Sequence, residues 1–298
     1  MKFGKVAHPE NIDFTIPRDD PRTEVVLSKY RDLEPIRVYV GCARWNKQDL
    51  RNFYPKGVKD ELKYYATQFN SIEMNATFYR IFPSEQYETW YAKTPANFRF
   101  FPKIIQNISH LRRLNEQVYP ILDEYLGATA NLKEKLGTIF LQLRDNFSPK
   151  EWDKVVRFVE SWPKEFALAV EFRHPDWFRD KKVFEELNHL LEENNISNII
   201  VDTAGRRDLM HMRLTNNEAF IRYVGANHES DYARLDDWAE RLYHWKQKGL
   251  GNIHFFVHQN MELASPLLSA YFIAKLNKKL GTDLHIPKIP NDSDGKLF

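Results

Sequence analysis

The chain has 298 residues, 43% of them hydrophobic and 28% charged, which is the composition of a folded globular protein and excludes a disordered or fibrous one. Its 43 Lys and Arg residues against 41 Asp and Glu residues give a formal net charge of +2, so it lacks the overall basic field with which dedicated nucleic-acid or membrane binders capture their targets. The single cysteine, Cys42, excludes an internal disulfide and a cysteine-based metal site.

The N-terminal segment is polar and rich in proline. Residues 1–9 contain no apolar signal-peptide core, and the chain has no apolar run of about 18 residues, so we predict a cytoplasmic protein without a membrane segment. Residues 1–35 include Pro9, Pro17 and Pro21. We expect these residues to form an extended arm that packs across the surface of the main domain.

From residue 37 onward, short runs of β-branched and aromatic residues alternate with stretches of helical period. The predicted strands are residues 37–42, 71–77, 98–104, 138–143, 167–172, 198–203, 219–224 and 253–258. Between them, apolar residues spaced by three and four place one stripe on each predicted helix. The stripes are Leu62/Tyr65/Phe69, Trp152/Val155/Val159, Val183/Leu187/Leu190 and Leu235/Trp238/Leu242/Trp245.

This repeating pattern predicts an α/β protein built as a (β/α)8 TIM-like barrel over residues 36–282, with the N-terminal arm before it and a C-terminal tail, residues 283–298, after it. A doubly wound sheet is the alternative, but no glycine-rich turn follows the first strand. One unit is irregular, because the segment 204–213 is short and basic and is expected to be a loop rather than a helix.

Polar residues gather toward the C-terminal ends of the predicted strands. Alternation in the second strand puts Glu73, Asn75 and Thr77 on one face, and the fifth strand repeats the pattern with Glu171 and Arg173. At or near the ends of other strands stand Lys103, Gln142, Asp202, Arg222 and His258. Barrel enzymes keep their active sites at this end, so we expect these side chains to converge on one mouth.

The charged members of this set allow a second interpretation. Three acids, Glu73, Glu171 and Asp202, are matched by three cations, Lys103, Arg173 and Arg222. The set could therefore be a self-neutralising buried network with a purely structural role.

Three stretches carry a family resemblance: residues 40–45 (VGCARW), 71–79 (SIEMNATFY) and 171–178 (EFRHPDWF). They are similar to the YecE-like family, catalogued as domain of unknown function 72, and the resemblance covers roughly residues 36–280. It implies a TIM-barrel-like fold and no established reaction. The chain departs from the family pattern at Val224 and at His258-Gln259, where a histidine and an asparagine pair are usual.

The residue types at the mouth predict an enzyme acting on a small anionic or sugar-like substrate. Two carboxylates facing across a pocket can divide acid and base work, so Glu73 and Glu171, with Lys103, are the predicted catalytic residues. The predicted substrate-binding residues are Asn75, Thr77, Tyr79, His110, Gln142, Arg173, Trp177, Asp202, Arg222 and His258. Arg173 and Arg222 suit a carboxylate or phosphate, while the rings of Tyr79 and Trp177 can stack on a sugar or simply pack their loops. Whether the reaction is a hydrolysis, an elimination or an isomerisation stays open.

No cofactor and no metal is predicted, and the expected partner is a small, anionic molecule. A divalent metal held by Glu73, Glu171, Asp202, His110 or His258 is the alternative, but the neighbouring cations would repel it. Two further functions stay open. One is nucleic-acid binding or processing through the pairs Arg112-Arg113 and Arg206-Arg207, and the other is a ligand sensor without catalysis.

Overall fold

Strands and helices alternate along the computed structural model, which describes residues 4–31 and 35–289. The strands are β1 (Arg37–Cys42), β2 (Ser71–Met74), β3 (Arg99–Pro102), β4 (Ile139–Gln142), β5 (Leu168–Glu171), β6 (Ser197–Asn198), β7 (Ile200–Asp202), β8 (Glu218–Gly225) and β9 (Asn252–Gln259). The helices are α1 (Pro21–Ser28), α2 (Glu61–Gln68), α3 (Ser84–Lys93), α4 (Tyr119–Thr129), α5 (Trp152–Glu160), α6 (Asp176–Arg179), α7 (Lys181–Glu193), α8 (Ser230–Lys248) and α9 (Ser265–Leu280). None of these helices of the described chain is long and apolar enough to cross a membrane.

The strands pair in parallel and form three sheets. β7, β8, β9 and β1 lie side by side in that order, β2 pairs with β3, and β4, β5 and β6 make the third sheet. Isolated parallel bridges from Phe100 to Leu136 and from Lys103 to Phe140 connect the second sheet to the third. The predicted α/β class is confirmed.

β1 and β2 belong to different sheets but touch at Gly41. A Cβ atom at this position would lie 2.2 Å from the backbone oxygen of Ser71, so only glycine permits the approach. The hydroxyl group of Tyr65 holds the same junction, because it accepts a hydrogen bond from the Cys42 amide at 2.8 Å and donates one to the Ser71 carbonyl at 3.0 Å. A side chain of α2 therefore takes the place of a strand ladder here.

Two of the predicted strands differ from the observed ones. The prediction for residues 71–77 is wrong beyond Met74, because Asn75–Phe78 form a 3-10 helix in which the Thr77 hydroxyl donates to the carbonyls of Met74 and Lys103, at 2.9 and 2.8 Å. The strand predicted at 198–203 is divided: β6 pairs with β5, whereas β7 pairs with β8. The regular alternation of side chains between the two faces of a strand is therefore interrupted in both segments, at Asn75 and between β6 and β7.

The apolar side chains separate into an inner and an outer core. Phe101, Phe140, Phe220 and Phe256 pack among the strands, and the helices cover the opposite faces. The predicted stripes are confirmed as core-facing, since Tyr65, Val155, Leu187 and Trp238 and most of their stripe partners are buried. The irregular unit is confirmed as well, because its only helical turn is the 3-10 helix Arg207–Leu209.

The described part of the predicted arm lies against the end of α7 and the loop before β8. Asp20 caps α1 and pairs with Arg213, and the Thr23 hydroxyl donates to the Met212 carbonyl at 2.9 Å. At the other terminus, the Lys288 amide donates to Gln68 at 2.9 Å. The domain boundaries at residues 35/36 and 282/283 stay predictions, and residues 1–3, 32–34 and 290–298 lie outside the described part of the chain.

Candidate functional site

A cavity of about 610 Å³ opens at the C-terminal ends of the strands. Its walls come from the segments that follow β1, β2, β5 and β9 and from the ends of β3 and β4. The lining residues are Ala43, Arg44, Trp45, Asn46, Asn75, Ala76, Tyr79, Lys103, Gln142, Arg173, His258 and Glu262. The cavity thus brings together Asn75, Tyr79, Lys103, Gln142, Arg173 and His258 from the set predicted by the sequence.

Beneath the cavity, Arg222 joins the two predicted catalytic glutamates. Its guanidinium group donates to both carboxylate oxygens of Glu73 at 2.8 Å and to Glu171 at 2.5 Å. Burial alone would raise the pKa of both carboxyl groups, but Arg222 and His258 hold that of Glu73 well below its ordinary value, and Arg173 and Arg222 lower that of Glu171 to about 2. Both glutamates are therefore held in the ionised form.

Four of the six charged residues form the buried, self-neutralising network that was the alternative interpretation of the sequence. Glu73 and Glu171 are balanced by Arg173 and Arg222, and three ion pairs join the four side chains in the order Arg173, Glu171, Arg222, Glu73. Lys103 stands apart, because it forms no ion pair within the described residues, and the cavity above the network is open. The predicted convergence of charges is thus both a structural network and the floor of a pocket.

Lys103 is buried but borders the cavity. Its Nζ atom donates to Oε1 of Gln142 at 2.7 Å and stands 4.2 Å from the ring centre of Phe78. Burial lowers the pKa of Lys103 to about 7, and the positive charge of Arg222 acts in the same direction, against the opposing charge of Glu171. The charge of Lys103 therefore changes near neutral pH.

Two histidines flank this arrangement from different sides. His258 lines the cavity, and its Nε2 atom is 3.1 Å from Glu73. His110 lies behind Phe78, with Nδ1 2.8 Å from the Ser109 hydroxyl. Burial lowers the pKa of His110 to about 4, and the nearby Lys103 adds to the effect, so its ring is neutral at pH 7.

Five predicted binding residues do not line the cavity: Thr77, Trp177 and Asp202, in addition to Arg222 beneath it and His110 behind Phe78. Thr77 is buried and closes the turn after β2. Trp177 is buried in the outer core, where its Nε1 donates to the Phe147 carbonyl at 2.7 Å. Asp202 is buried on the helix-facing side of β7 and accepts hydrogen bonds from Arg234 at 2.7 Å and from Trp238 at 2.8 Å. Since Val201 lies in the inner core, alternation turns the next side chain outward.

Two charged wall residues are absent from the sequence prediction. Arg44 follows β1 and pairs with Asp49 at 2.9 Å, and its position just beyond a strand end is a signal that the same reasoning could have used. Glu262 follows β9, accepts a hydrogen bond from Ser265 at 2.8 Å and stands 3.9 Å from Nδ1 of His258. It lies four residues beyond a predicted mouth residue.

The residue types proposed as an alternative metal site are not gathered in one place. Glu73 and Glu171 face Arg222, whereas Asp202 faces α8. Within residues 4–31 and 35–289, no group of three or more His, Cys, Asp or Glu side chains could hold a metal ion. The absence of a cofactor stays a prediction.

The arginine pairs considered for nucleic-acid binding have protein partners. Arg112 bonds to Asn107 at 3.1 Å, and Arg113 forms an ion pair with Glu151. Arg206 is paired with Asp208, and Arg207 with Asp202. No observation at these positions favours a phosphate backbone as the ligand.

A second cavity, of about 450 Å³, opens at the opposite, N-terminal ends of the strands. Arg37, Arg99, Glu218 and His254 are among its lining residues. None of the residues predicted for the site lies there. The candidate site is therefore the cavity above Arg222.

Comparison with known proteins agrees with the motifs. A family model described as "Protein of unknown function DUF72" matches residues 39–292. The chain is 28% identical to the UPF0759 protein YecE of Escherichia coli K12 over 281 residues, covering 86% of the chain and 98% of that protein. It is 25% identical to the UPF0759 protein YunF of Bacillus subtilis over 230 residues, covering 72% and 80%.

Two solved structures of DUF72 family proteins have a similar fold. A DUF72 family protein from Enterococcus faecalis V583 superposes with a TM-score of 0.66 at 19% identity, covering 83% of the chain and 99% of that protein. A DUF72 family protein from Thermotoga maritima superposes with a TM-score of 0.59 at 22% identity, covering 81% and 99%.

Proposed function

The chain belongs to the DUF72 family, and on that premise we propose that it is an enzyme that binds a small anionic substrate in the cavity above Arg222, with the amine of Lys103 as the reacting group. One observation carries the proposal: the cavity wall holds the guanidinium groups of Arg44 and Arg173 and the amine of Lys103, against the single carboxylate of Glu262. A volume of about 610 Å³ also lies within the range of small-molecule sites.

The protonation states favour Lys103 over the glutamates as the acid–base group. A general acid or base works best when its pKa is near the working pH, and the pKa of Lys103 is about 7, whereas that of Glu171 is about 2. The carboxylates instead hold Arg222 in place. The acid–base roles of Glu73 and Glu171 stay predictions.

The remaining wall suits a polar molecule with one flat face. Arg173 offers a planar set of donors to a carboxylate or phosphate group, while Asn46 and Asn75 add neutral hydrogen-bonding groups. The rings of Trp45 and Tyr79 supply apolar contact area, and Tyr79 is 69% exposed, so a ligand can reach it. These groups agree with a phosphorylated sugar as well as with a small organic acid.

The proposal includes a closed (β/α)8 barrel as the scaffold. It is supported by contacts between the edges of the three sheets: β1 approaches β2 at Gly41, two bridges connect the β3 and β4 segments, and β6 is followed directly by β7. A closed barrel would direct all the strand ends toward the one cavity. The cytoplasmic location stays a prediction.

A binding measurement tests the proposal. We expect inorganic phosphate and glucose 6-phosphate, but not glucose, to raise the melting temperature and to bind in calorimetry, with affinity falling as salt rises. Arg44→Gln should weaken this binding. The matched control is Lys182→Gln, which removes a lysine that is 84% exposed on α7, away from the cavity, and should leave it unchanged.

The outcomes separate the candidate functions. Absence of binding by both anions, or equal binding by Arg44→Gln and wild type, would contradict the anionic site. Binding of glucose with the same affinity as glucose 6-phosphate would indicate a neutral sugar site. A bound ligand that is recovered unchanged after long incubation would favour the sensor over the enzyme.

A further inference from the structure

Lys103 differs from Lys135, the other buried lysine of the described chain, in what its amine contacts. The Nζ atom of Lys135 donates to the backbone oxygens of Tyr91 and Thr94, at 2.7 and 2.6 Å, and has the Thr94 hydroxyl at 3.4 Å. Lys103 has one acceptor among the described residues, Gln142. Three acceptors suit the three N–H groups of an ammonium ion. The Lys103 amine, with one acceptor and the Phe78 ring at 4.2 Å, keeps part of its surface toward the cavity, where a substrate can reach it.

The single acceptor is also fixed in orientation. The Gln142 amide nitrogen donates to both carboxylate oxygens of Glu171 at 3.0 Å, so its oxygen must face Lys103. Glu171 is held in turn by Arg173 and Arg222. The Lys103 amine therefore donates one N–H to a neutral group. A carboxylate in that place would instead stabilise the ammonium form.

We propose that the substrate carries an aldehyde or ketone beside its anionic group and that Nζ of Lys103 condenses with that carbonyl to form an imine. This inference rests on the proposed function, since it names the reaction of the same amine in the same cavity. A lysine that is desolvated beside other cations is a known route to an amine nucleophile. Arg222 and Arg173 supply those cations here.

The step balances without an oxidant or reductant. The nitrogen lone pair attacks the carbonyl carbon, and one N–H proton passes to the oxygen to give a carbinolamine. The C–O bond then breaks, and the hydroxyl group leaves as water with the second N–H proton. The resulting imine, once protonated, withdraws electrons from the neighbouring carbon, while Arg173 or Arg44 can hold the anionic group.

The charged groups around Lys103 set the pH at which the amine reacts. Burial has the largest effect and disfavours the positive charge of Lys103, as do Arg222 and Arg173, whereas Glu171 and Glu73 favour it. His110 is neutral at pH 7 and adds no charge. With a pKa of about 7, half of the Lys103 amines are neutral at pH 7. For a surface lysine with an ordinary pKa of about 10.4, the neutral fraction is roughly 10³-fold smaller.

Reductive trapping tests the inference on the full chain. The probe is pyridoxal 5′-phosphate, an aldehyde that carries a phosphate group, followed by sodium borohydride and peptide mass spectrometry. We expect Lys103 to be labelled at pH 7 faster than surface lysines such as Lys182, by up to the roughly 10³-fold ratio of their neutral fractions, with a rate that rises through about pH 7. Lys103→Arg should lose this label, and Lys182→Gln should retain it.

A parallel measurement uses pyridoxine 5′-phosphate, the alcohol that cannot form an imine. If it binds the wild-type protein and Lys103 is not labelled preferentially by the aldehyde, the imine is refuted and the anion site stands. If neither compound binds, the proposed function fails as well. Since Lys103→Arg keeps a long cationic side chain, its melting temperature and its binding of the alcohol show whether loss of label is due to loss of folding.

Discussion

Replacing Arg222 with methionine tests whether the two buried glutamates depend on one cation. Arg222 donates to Glu73 and Glu171 over distances of 2.5 to 2.8 Å, and all three side chains are at most 1% exposed. Removing one partner of a buried ion pair leaves an uncompensated charge, which typically costs about 3–5 kcal/mol. We expect Arg222→Met to lower the free energy of unfolding at pH 7 by about that amount.

The size of this deficit must depend on pH. Burial would raise the pKa of both glutamates, but the neighbouring cations lower it, for Glu171 from 4.5 to about 2. A carboxyl group whose pKa is lowered by folding contributes stability that is complete above its unfolded pKa and is lost as pH falls toward its folded pKa. We therefore expect wild type to lose stability from about pH 4.5 downward. Since burial raises the pKa of glutamates that have lost Arg222, the difference from Arg222→Met should shrink as pH falls from 7 and go on shrinking below pH 4.5.

Equilibrium unfolding in urea at several pH values measures both effects. The control is Arg157→Met, which replaces an exposed arginine on α5 and should change stability by less than about 0.5 kcal/mol. Adding Glu73→Gln and Glu171→Gln to Arg222→Met removes the unpaired charges and should restore part of the loss. A deficit below about 1 kcal/mol at pH 7, or one that stays constant down to pH 3, would refute the dependence of the glutamates on Arg222.

Three further predictions concern the acceptor of Lys103, the placement of Asp202 and the contact between β1 and β2. Gln142→Glu should raise the pKa of Lys103, because a carboxylate would replace the amide acceptor at 2.7 Å. The midpoint pH of amine labelling should then shift to a higher value. An unchanged midpoint would show that this contact does not control the pKa of the amine. Asp202→Asn should destabilise the fold by about 3–5 kcal/mol in urea unfolding, because it leaves buried arginine charge unpaired. Phosphate affinity should be unchanged, since the side chain faces α8 and not the cavity. Weaker phosphate binding by the folded variant would contradict that placement. Gly41→Ala should destabilise the protein by several kcal/mol or prevent folding, because its Cβ would lie 2.2 Å from a backbone oxygen of β2. The control Gly127→Ala has no neighbour within 4 Å and should be neutral or stabilising. Similar melting temperatures for the two variants would argue against a close contact between β1 and β2.

The sequence by itself determined the elements that depend on local periodicity. The stripe of Leu235, Trp238, Leu242 and Trp245 predicts a helix with one buried face, and these residues are buried on α8. Runs of β-branched and aromatic residues likewise located the strands, except that the run 198–203 contains two, and polar residues at the strand ends indicated the end of the fold at which a cavity lies. Such features could be read from the chain because a side chain's face is set by neighbours one to four positions away.

The tertiary structure decided which polar residues act together. Asp202 was predicted at the mouth, but the division between β6 and β7 and the outward face of β7 bring it to Arg234 instead. Glu73 and Arg222 are 149 residues apart, and Lys103 and Gln142 are 39 apart, yet each pair is in hydrogen-bond contact beneath the cavity, and Arg222 lowers the pKa of Glu73. A pKa depends on burial and on charges a few ångströms away, and no local pattern records which distant side chain will supply them.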